Sequence, residues 1–151
     1  MNLKPLRTDA SHPAFQTLVG ELDGHLAVLN GEKNDFFKAF NQLTPLKQVI
    51  VVFADDQAVG CGALKDLGKG MKEIKRMFVS PSFRKKGIAQ KILCALESWA
   101  KEDGALATRL ETGVMMQEAV TLYQKNGYIR IPNYDPYTDV TESLCFEKKI
   151  N

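Results

Sequence analysis

The run Arg84-Lys85-Lys86-Gly87-Ile88-Ala89 sets three cations and two small residues directly before a stretch with helical apolar spacing. The first turn of an α-helix has backbone N–H groups without intrahelical partners and carries about half a positive charge, so main-chain donors there can hold a phosphate. Arg84, Lys85 and Lys86 add to that field, while Gly87 and Ala89 keep bulky side chains out of the approach. These residues alone suit two readings, a phosphate cradle or a solvated basic helix start. The run lacks the G-x-x-x-x-G-K-[ST] of a nucleoside triphosphate loop and the G-x-G-x-x-G of a dinucleotide fold, which disfavours both.

The elements that must position this loop follow from the apolar pattern. Gln48 to Ala54 is rich in β-branched and aromatic residues, Asp55-Asp56-Gln57 supplies a turn, and Ala58 to Lys65 resumes an extended pattern, which together make a hairpin. After the turn Gly68-Lys69-Gly70, Glu73 to Val79 reads as a third adjacent antiparallel strand, stopped by Ser80-Pro81. Ile88, Ile92, Leu93, Leu96, Trp99 and Ala100 place a helix over about Gly87 to Asp103, closed by Gly104. Leu106 to Glu111 then reads as a strand parallel to Glu73–Val79 through a right-handed crossover. A helix over about Met116 to Asn126 and strands near Tyr128 to Ile131 and Ser143 to Lys148 finish the chain. Upstream, a strand at Leu3 to Arg7 precedes expected helices at Ala14 to Leu22 and at 35–43. Without repeats or linkers, residues 1–151 read as one α+β domain.

Here the chain resembles the GNAT superfamily of acyl-CoA N-acyltransferases, whose pyrophosphate loop has the form [RQ]-x-x-G-x-[GA]. Arg84, Gly87 and Ala89 fill that pattern. Upstream, MFVSPSFR resembles the family's strand end, and downstream LYQKNGY resembles its L-Y-x-x-x-G-[FY]. The likeness covers roughly residues 51 to 148. It implies a three-layer fold with a mixed, mostly antiparallel sheet, flanking helices and two parallel strands that splay apart around acetyl-CoA.

What the resemblance implies can be placed residue by residue. Acetyl-CoA is the expected co-substrate, held through Met77, Phe78 and Val79 on the strand and Arg84, Lys85, Lys86, Gly87, Ile88 and Ala89 on the loop. The N–H of Met77 is the expected donor to the thioester oxygen. Tyr123 matches the family tyrosine near the CoA sulfur. A phenol of pKa about 10 is a weaker acid than a thiol of about 8.5, so a hydrogen bond to the departing thiolate is the expected role, with helix packing the alternative. The acceptor ammonium, of pKa about 10.4, must lose a proton, which a desolvated carboxylate near the acyl carbon can take. Glu73, eleven residues before Arg84 as in histone-acetylating members, is the first candidate, and Glu111 on the neighbouring strand the second. Many members place asparagine three residues before the alanine of the last motif. This chain has Met116 before Ala119, leaving Gln117 or Glu118 to meet the pantetheine arm.

The expected reaction is direct transfer of the acetyl group to a primary amine of a small molecule or peptide in a ternary complex. The competing class is an acyl-CoA-binding sensor or scaffold, which would need neither Tyr123 nor a base. Bulk properties narrow the rest. Lys and Arg number 20 against 18 Asp and Glu, too small an excess to argue for nucleic acid or membrane, and the central basic cluster lacks interleaved aromatics. The start MNLKPLRTDA has no apolar run of a secretion signal, which gives a cytoplasmic expectation. Cys61, Cys94 and Cys145 fit neither a disulfide framework nor a metal pattern and read as small buried residues. His12 and His25 lie far apart, so no metal is expected. A homodimer is left open. The acceptor site is expected to border Ile131 to Asp139, whose Tyr134, Asp135, Tyr137 and Asp139 suggest an acidic, aromatic wall for a small cationic amine, or else a polar loop ordered by prolines.

Overall fold

The computed structural model describes residues 1–31 and 46–151; the helix expected at 35–43 lies outside the described residues. Strands β1 (Leu3–Thr8), β2 (Gln48–Ala54), β3 (Gln57–Gly68), β4 (Met71–Val79), β5 (Ala107–Gly113), β6 (Ile129–Ile131) and β7 (Ser143–Lys149) form one sheet of order β1-β2-β3-β4-β5-β7-β6. Every neighbouring pair is antiparallel except β4 and β5, which are parallel. Asp55 and the pair Lys69 and Gly70 adopt positive φ, and each hairpin closes over a two-residue loop, the geometry that matches the twist of paired strands.

Helices α1 (Pro13–Asn30), α2 (Ile88–Glu102) and α3 (Gln117–Lys125) cover the two faces. Pro13 occupies the first turn of α1, and His12 caps it, its Nδ1 accepting from the N–H of Ala14 at 3.1 Å. Phe15, Leu18 and Leu22 pack with Val49, Val51, Cys61, Ala63 and Phe78 on one face of the sheet. The helix runs beyond the expected end at Leu22 to Asn30. Leu26 and Leu29 continue the apolar stripe begun by Leu18 and Leu22, and this periodicity outweighs the helix-weakening Gly20 and Gly24. On the other face, Ile88, Ile92, Leu93, Leu96 and Ala100 of α2 join Tyr123 of α3 in a second core with Ile50, Val52, Val59, Leu64, Ile74 and Val79. No described helix is long and apolar enough to cross a membrane.

Two glycines of β3 set how closely α2 lies on the sheet. A Cβ on Gly60 would stand 2.9 Å from Ile92, and one on Gly62 would stand 2.8 Å from both Ile92 and the sulfur of Met77 and 2.9 Å from Leu96. The bare backbone thus lets α2 settle onto β3 beside β4, fixing the helix start relative to the end of β4. Gly62→Val should lower the unfolding free energy by about 1–3 kcal/mol through overpacking. Urea denaturation measures this, and an unchanged midpoint would show that the contact is loose.

Candidate active site

Strands β4 and β5 pair from Met71/Ala107 only as far as Ile74/Leu110. Beyond that point β4 continues to Val79 and β5 to Gly113 without a shared ladder, so the strands part. On its other side β4 carries a bulge: Cys61 pairs with Phe78 but Ala63 with Lys75, so β4 has one more residue than β3 across that interval. Arg76 sits in the bulge with φ 58. The bulge resets the alternation of side chains. Phe78 joins the α1-side core, whereas Met77 and Val79 face the core beneath α2.

A cavity of about 230 Å³ occupies the opening. Leu22, Leu26 and Leu29 of α1 line it from one face of the sheet, and Ala119 and Tyr123 of α3 from the other, so it passes through the gap between the strands. Glu73, Met77 and Glu111 also line it, which brings three sequence-selected residues together with Tyr123. The other selected residues stand apart from its walls. Phe78 and Val79 have buried side chains, so only their main chain is left to meet a ligand. Gln117 donates its carboxamide N–H to the carbonyl of Val114 at 2.7 Å, closing the turn before α3.

The loop Arg84–Ala89 leads from the end of β4 into α2. Arg84 is turned back on β4, its Nε donating to the carbonyl of Val79 at 2.9 Å and its guanidinium 5.7 Å from the Phe78 ring centroid. Lys85 (φ 62) and Gly87 (φ 79) take the left-handed conformation. Lys85 and Lys86 are exposed and have no ion-pair partner among the described residues. Gly87 occupies the N-cap of α2 with no side-chain cap, and a Cβ there would meet nothing within 4 Å. The first-turn amides therefore face open space flanked by cations, a setting that fits a pyrophosphate. Ile88 is instead a core anchor, 1% exposed beneath Gly60.

The two carboxylates occupy different surroundings. Glu73 is 3% exposed; the Tyr134 hydroxyl donates to its Oε2 at 2.6 Å, and the Lys75 ammonium lies 3.6 Å from its Oε1. Burial lowers the pKa of Lys75, opposed by the charge of Glu73. Glu111 accepts one hydrogen bond, from the Ser143 hydroxyl at 2.6 Å, and has no ion pair among the described residues. Burial raises its pKa above the usual carboxylate range, with Ser143 and Lys75 working against the rise. A raised pKa makes this carboxylate a stronger base than an exposed glutamate, which suits it to accept a proton.

Tyr123 is 7% exposed and packs edge to face on Tyr128, centroids 5.9 Å apart. Tyr128 is itself fixed by hydrogen bonds with Thr108 (2.7 Å) and Glu97 (2.8 Å). The hydroxyl of Tyr123 has no hydrogen-bond partner among the described residues. Burial raises its pKa, and the charge of Glu111 raises it further.

Sequence reasoning missed Lys75 and Ser143 of this site and did not assign Tyr134 to Glu73. Lys75 was available from strand alternation, since it stands two residues from Glu73 and shares its face. Tyr134, Tyr137 and Ser143 reach β4 and β5 only because the segment before β7 folds back; there Asn133 donates to the carbonyls of Tyr137, Val140 and Ser143 at 3.1–3.2 Å. Of the expected acidic, aromatic wall, Tyr137 lines the cavity, Tyr134 turns to Glu73, and Asp135 and Asp139 are exposed away from it. Cys61 and Cys145 are buried as expected, but Cys94 is exposed because it falls on the outer face of α2. None of the three lines the cavity, and burial pushes the Cys61 thiol up to about 12.

Comparison with known proteins bears on the family and the fold. The family described as Acetyltransferase (GNAT) domain matches residues 45–130. An IAA acetyltransferase of Azospirillum brasilense is 32% identical over 99% of each chain. A Klebsiella pneumoniae structure described as an acyl-CoA N-acyltransferase superposes with TM-score 0.84 at 27% identity, covering 99% of this chain and 98% of the other. The PaiA N-acetyltransferase of Thermoplasma acidophilum, solved with coenzyme A, shares the fold with TM-score 0.73 at 19% identity over 99% of each chain.

The loop geometry makes a binding prediction. Gly87→Glu places a carboxylate in the open space before the α2 amides, in a left-handed conformation disfavoured for glutamate, and should weaken CoA binding by about a hundredfold or more. Calorimetry with CoA decides it, and affinity equal to the parent would contradict the assignment.

Proposed function

The chain belongs to the GNAT acetyltransferase family, and we propose that it transfers the acetyl group of acetyl-CoA directly to a primary amine of a small molecule or peptide, as one domain over residues 1–151. The enzyme is an acyl-CoA-dependent N-acyltransferase with acetyl-CoA as co-substrate. The observation that carries the finer reading is the cavity through the β4–β5 gap, which places Tyr123 and Glu111 on one opening. A binding module without turnover has no use for that pairing.

Acetyl-CoA supplies the activated acyl group as a thioester. The main chain of β4 beyond Ile74 holds the acyl arm where β5 has withdrawn, with the N–H of Met77 directed at the carbonyl oxygen, where a donor gains strength as negative charge develops. The amides of Ile88 and Ala89, with Lys85 and Lys86, hold the pyrophosphate, and Arg84 keeps the loop against the end of β4. Tyr123 donates a hydrogen bond to the leaving sulfur. The burial that raises its pKa makes full proton transfer to a thiolate more uphill, so it acts as a neutral donor.

Between the two carboxylates, the surroundings favour Glu111 as the proton acceptor. Glu73 has a phenol and an ammonium on its oxygens, and serves to hold the Tyr134 and Lys75 side of the cavity. Glu111 has one hydroxyl donor and a pKa raised by burial.

The test is a pH profile of turnover at saturating acetyl-CoA. Because the Glu111 pKa is raised, its basic form is gained as pH rises above the ordinary carboxylate range, and the rate should rise with it. Glu111→Gln should remove that limb and lower kcat by about 10²–10⁴-fold, with partial recovery at high pH where more amine is already neutral. In the same assay Tyr123→Phe should keep acetyl-CoA affinity and lower kcat by about tenfold to a few hundredfold. If Glu73→Gln loses the limb while Glu111→Gln keeps it, the base is Glu73; unchanged turnover in Tyr123→Phe would return that residue to packing alone.

A further inference from the structure

The aim of Tyr123 is set by side chains outside the cavity walls. Tyr128, between α3 and β6 and 2% exposed, meets the Tyr123 ring edge to face, and its main-chain N–H donates to the Tyr123 carbonyl at 3.0 Å. The Tyr128 hydroxyl is held from two sides. It donates to Glu97 of α2 at 2.8 Å, and with its one proton spent there it accepts from the Thr108 hydroxyl of β5 at 2.7 Å. Glu97 is held in turn by the Lys148 ammonium of β7 at 2.9 Å, and that ammonium lies 5.8 Å from the Tyr128 ring centroid. Thr108 falls in the stretch where β5 is still laddered to β4. The contacts from Thr108 through Tyr128 to Tyr123 therefore carry the register of the paired sheet to the place where the strands have parted. Burial, and then the charge of Glu97, raise the Tyr128 pKa, so its donor to Glu97 persists through the range in which a thiol titrates.

We propose that Tyr128 is a positioning residue for the transfer, its hydrogen bonds with Thr108 and Glu97 holding the Tyr123 phenol on the coenzyme A sulfur. The proposal rests on the role given to Tyr123 above and deepens it. A donor that steadies a departing thiolate has to be held to about 0.5 Å and about 10–20°, because a hydrogen bond weakens steeply off its axis. Ring packing alone fixes where Tyr123 lies; the tethered hydroxyl of its neighbour fixes how far it can tilt.

The test reads the sulfur itself and needs no acceptor amine: the thiol pKa of bound coenzyme A, followed by the ultraviolet absorbance of its thiolate against the unliganded protein. Tyr123→Phe removes the donor and should raise that pKa by about one unit, a tenfold loss in the ionisation constant. Tyr128→Phe and Thr108→Val keep the packing shape but break the tether, and each should raise it by about half a unit. Thr108→Ser loses a methyl and keeps the hydroxyl, so it should hold the parent value. In a Tyr123→Phe background neither Tyr128→Phe nor Thr108→Val should add to the shift, and acetyl-CoA affinity should stay at the parent value in every variant. The positioning role is overturned if Tyr128→Phe and Thr108→Val leave the thiol at its parent pKa while Tyr123→Phe raises it. It is overturned equally if Thr108→Ser acts like Thr108→Val, or if the tether variants act undiminished without the Tyr123 hydroxyl. A thiol unmoved even by Tyr123→Phe would strike the placement of Tyr123 at the sulfur, and the proposal with it.

Discussion

The parting of β4 from β5 after Ile74 and Leu110 is the constraint on which the rest of the structure depends. A parallel pair in mid-sheet would ordinarily continue its ladder, because each unpaired N–H and C=O buried there carries a penalty of about 1–3 kcal/mol. Here β4 turns away through the bulge at Arg76, a non-glycine residue in a left-handed conformation that itself costs on the order of 1 kcal/mol or more. Two contacts hold it. The guanidinium of Arg76 is bound to Asp23 of α1, and the Cys61 thiol donates to the Arg76 carbonyl at 3.4 Å. The opening is thus fastened to α1 on one side and to β3 on the other.

From that one departure the site acquires its chemistry. The gap lets α1 and α3, which lie on opposite faces of the sheet, line a single cavity, and it turns a stretch of strand backbone into hydrogen-bonding groups available to a ligand. Glu111 on β5 stays mostly buried with the Ser143 hydroxyl and no ion pair among the described residues, while Glu73, just before the bulge, is locked to Tyr134 and Lys75. The glycines of β3 complete the arrangement from below. By admitting α2 so close to the sheet, they set the open helix start at Gly87 just past the end of the same strand that parts from β5.

Much of this was legible in the sequence, and the rest was hidden for identifiable reasons. The hairpin turns, the proline that ends β4, the apolar stripe of α2 and the basic loop before it are local signals, and the structure places them within a residue or two of their expected bounds. The bulge was not legible, because Glu73 to Val79 reads as an uninterrupted strand and no glycine marks Arg76. Nor was the contrast between the two carboxylates, since it is made by Tyr134 and Ser143, distant in sequence and delivered by a fold-back that Asn133 clasps. The extension of α1 was masked by Gly20 and Gly24, although the leucine spacing through Leu29 carried it. Cys94 was misjudged by residue type alone, whereas its position between Leu93 and Ala95 on α2 already placed it on the outer face.

If the unladdered edge of β4 is what receives the acyl arm, its amides should report acetyl-CoA directly. Amide hydrogen exchange followed residue by residue, without and with saturating acetyl-CoA, tests this. The amides between Lys75 and Val79 that face β5 are expected to exchange rapidly in the free protein and to slow by about tenfold or more on binding, well beyond any change along β1 and β2. Exchange that is already slow in the free protein, or unchanged by bound acetyl-CoA, would contradict the account.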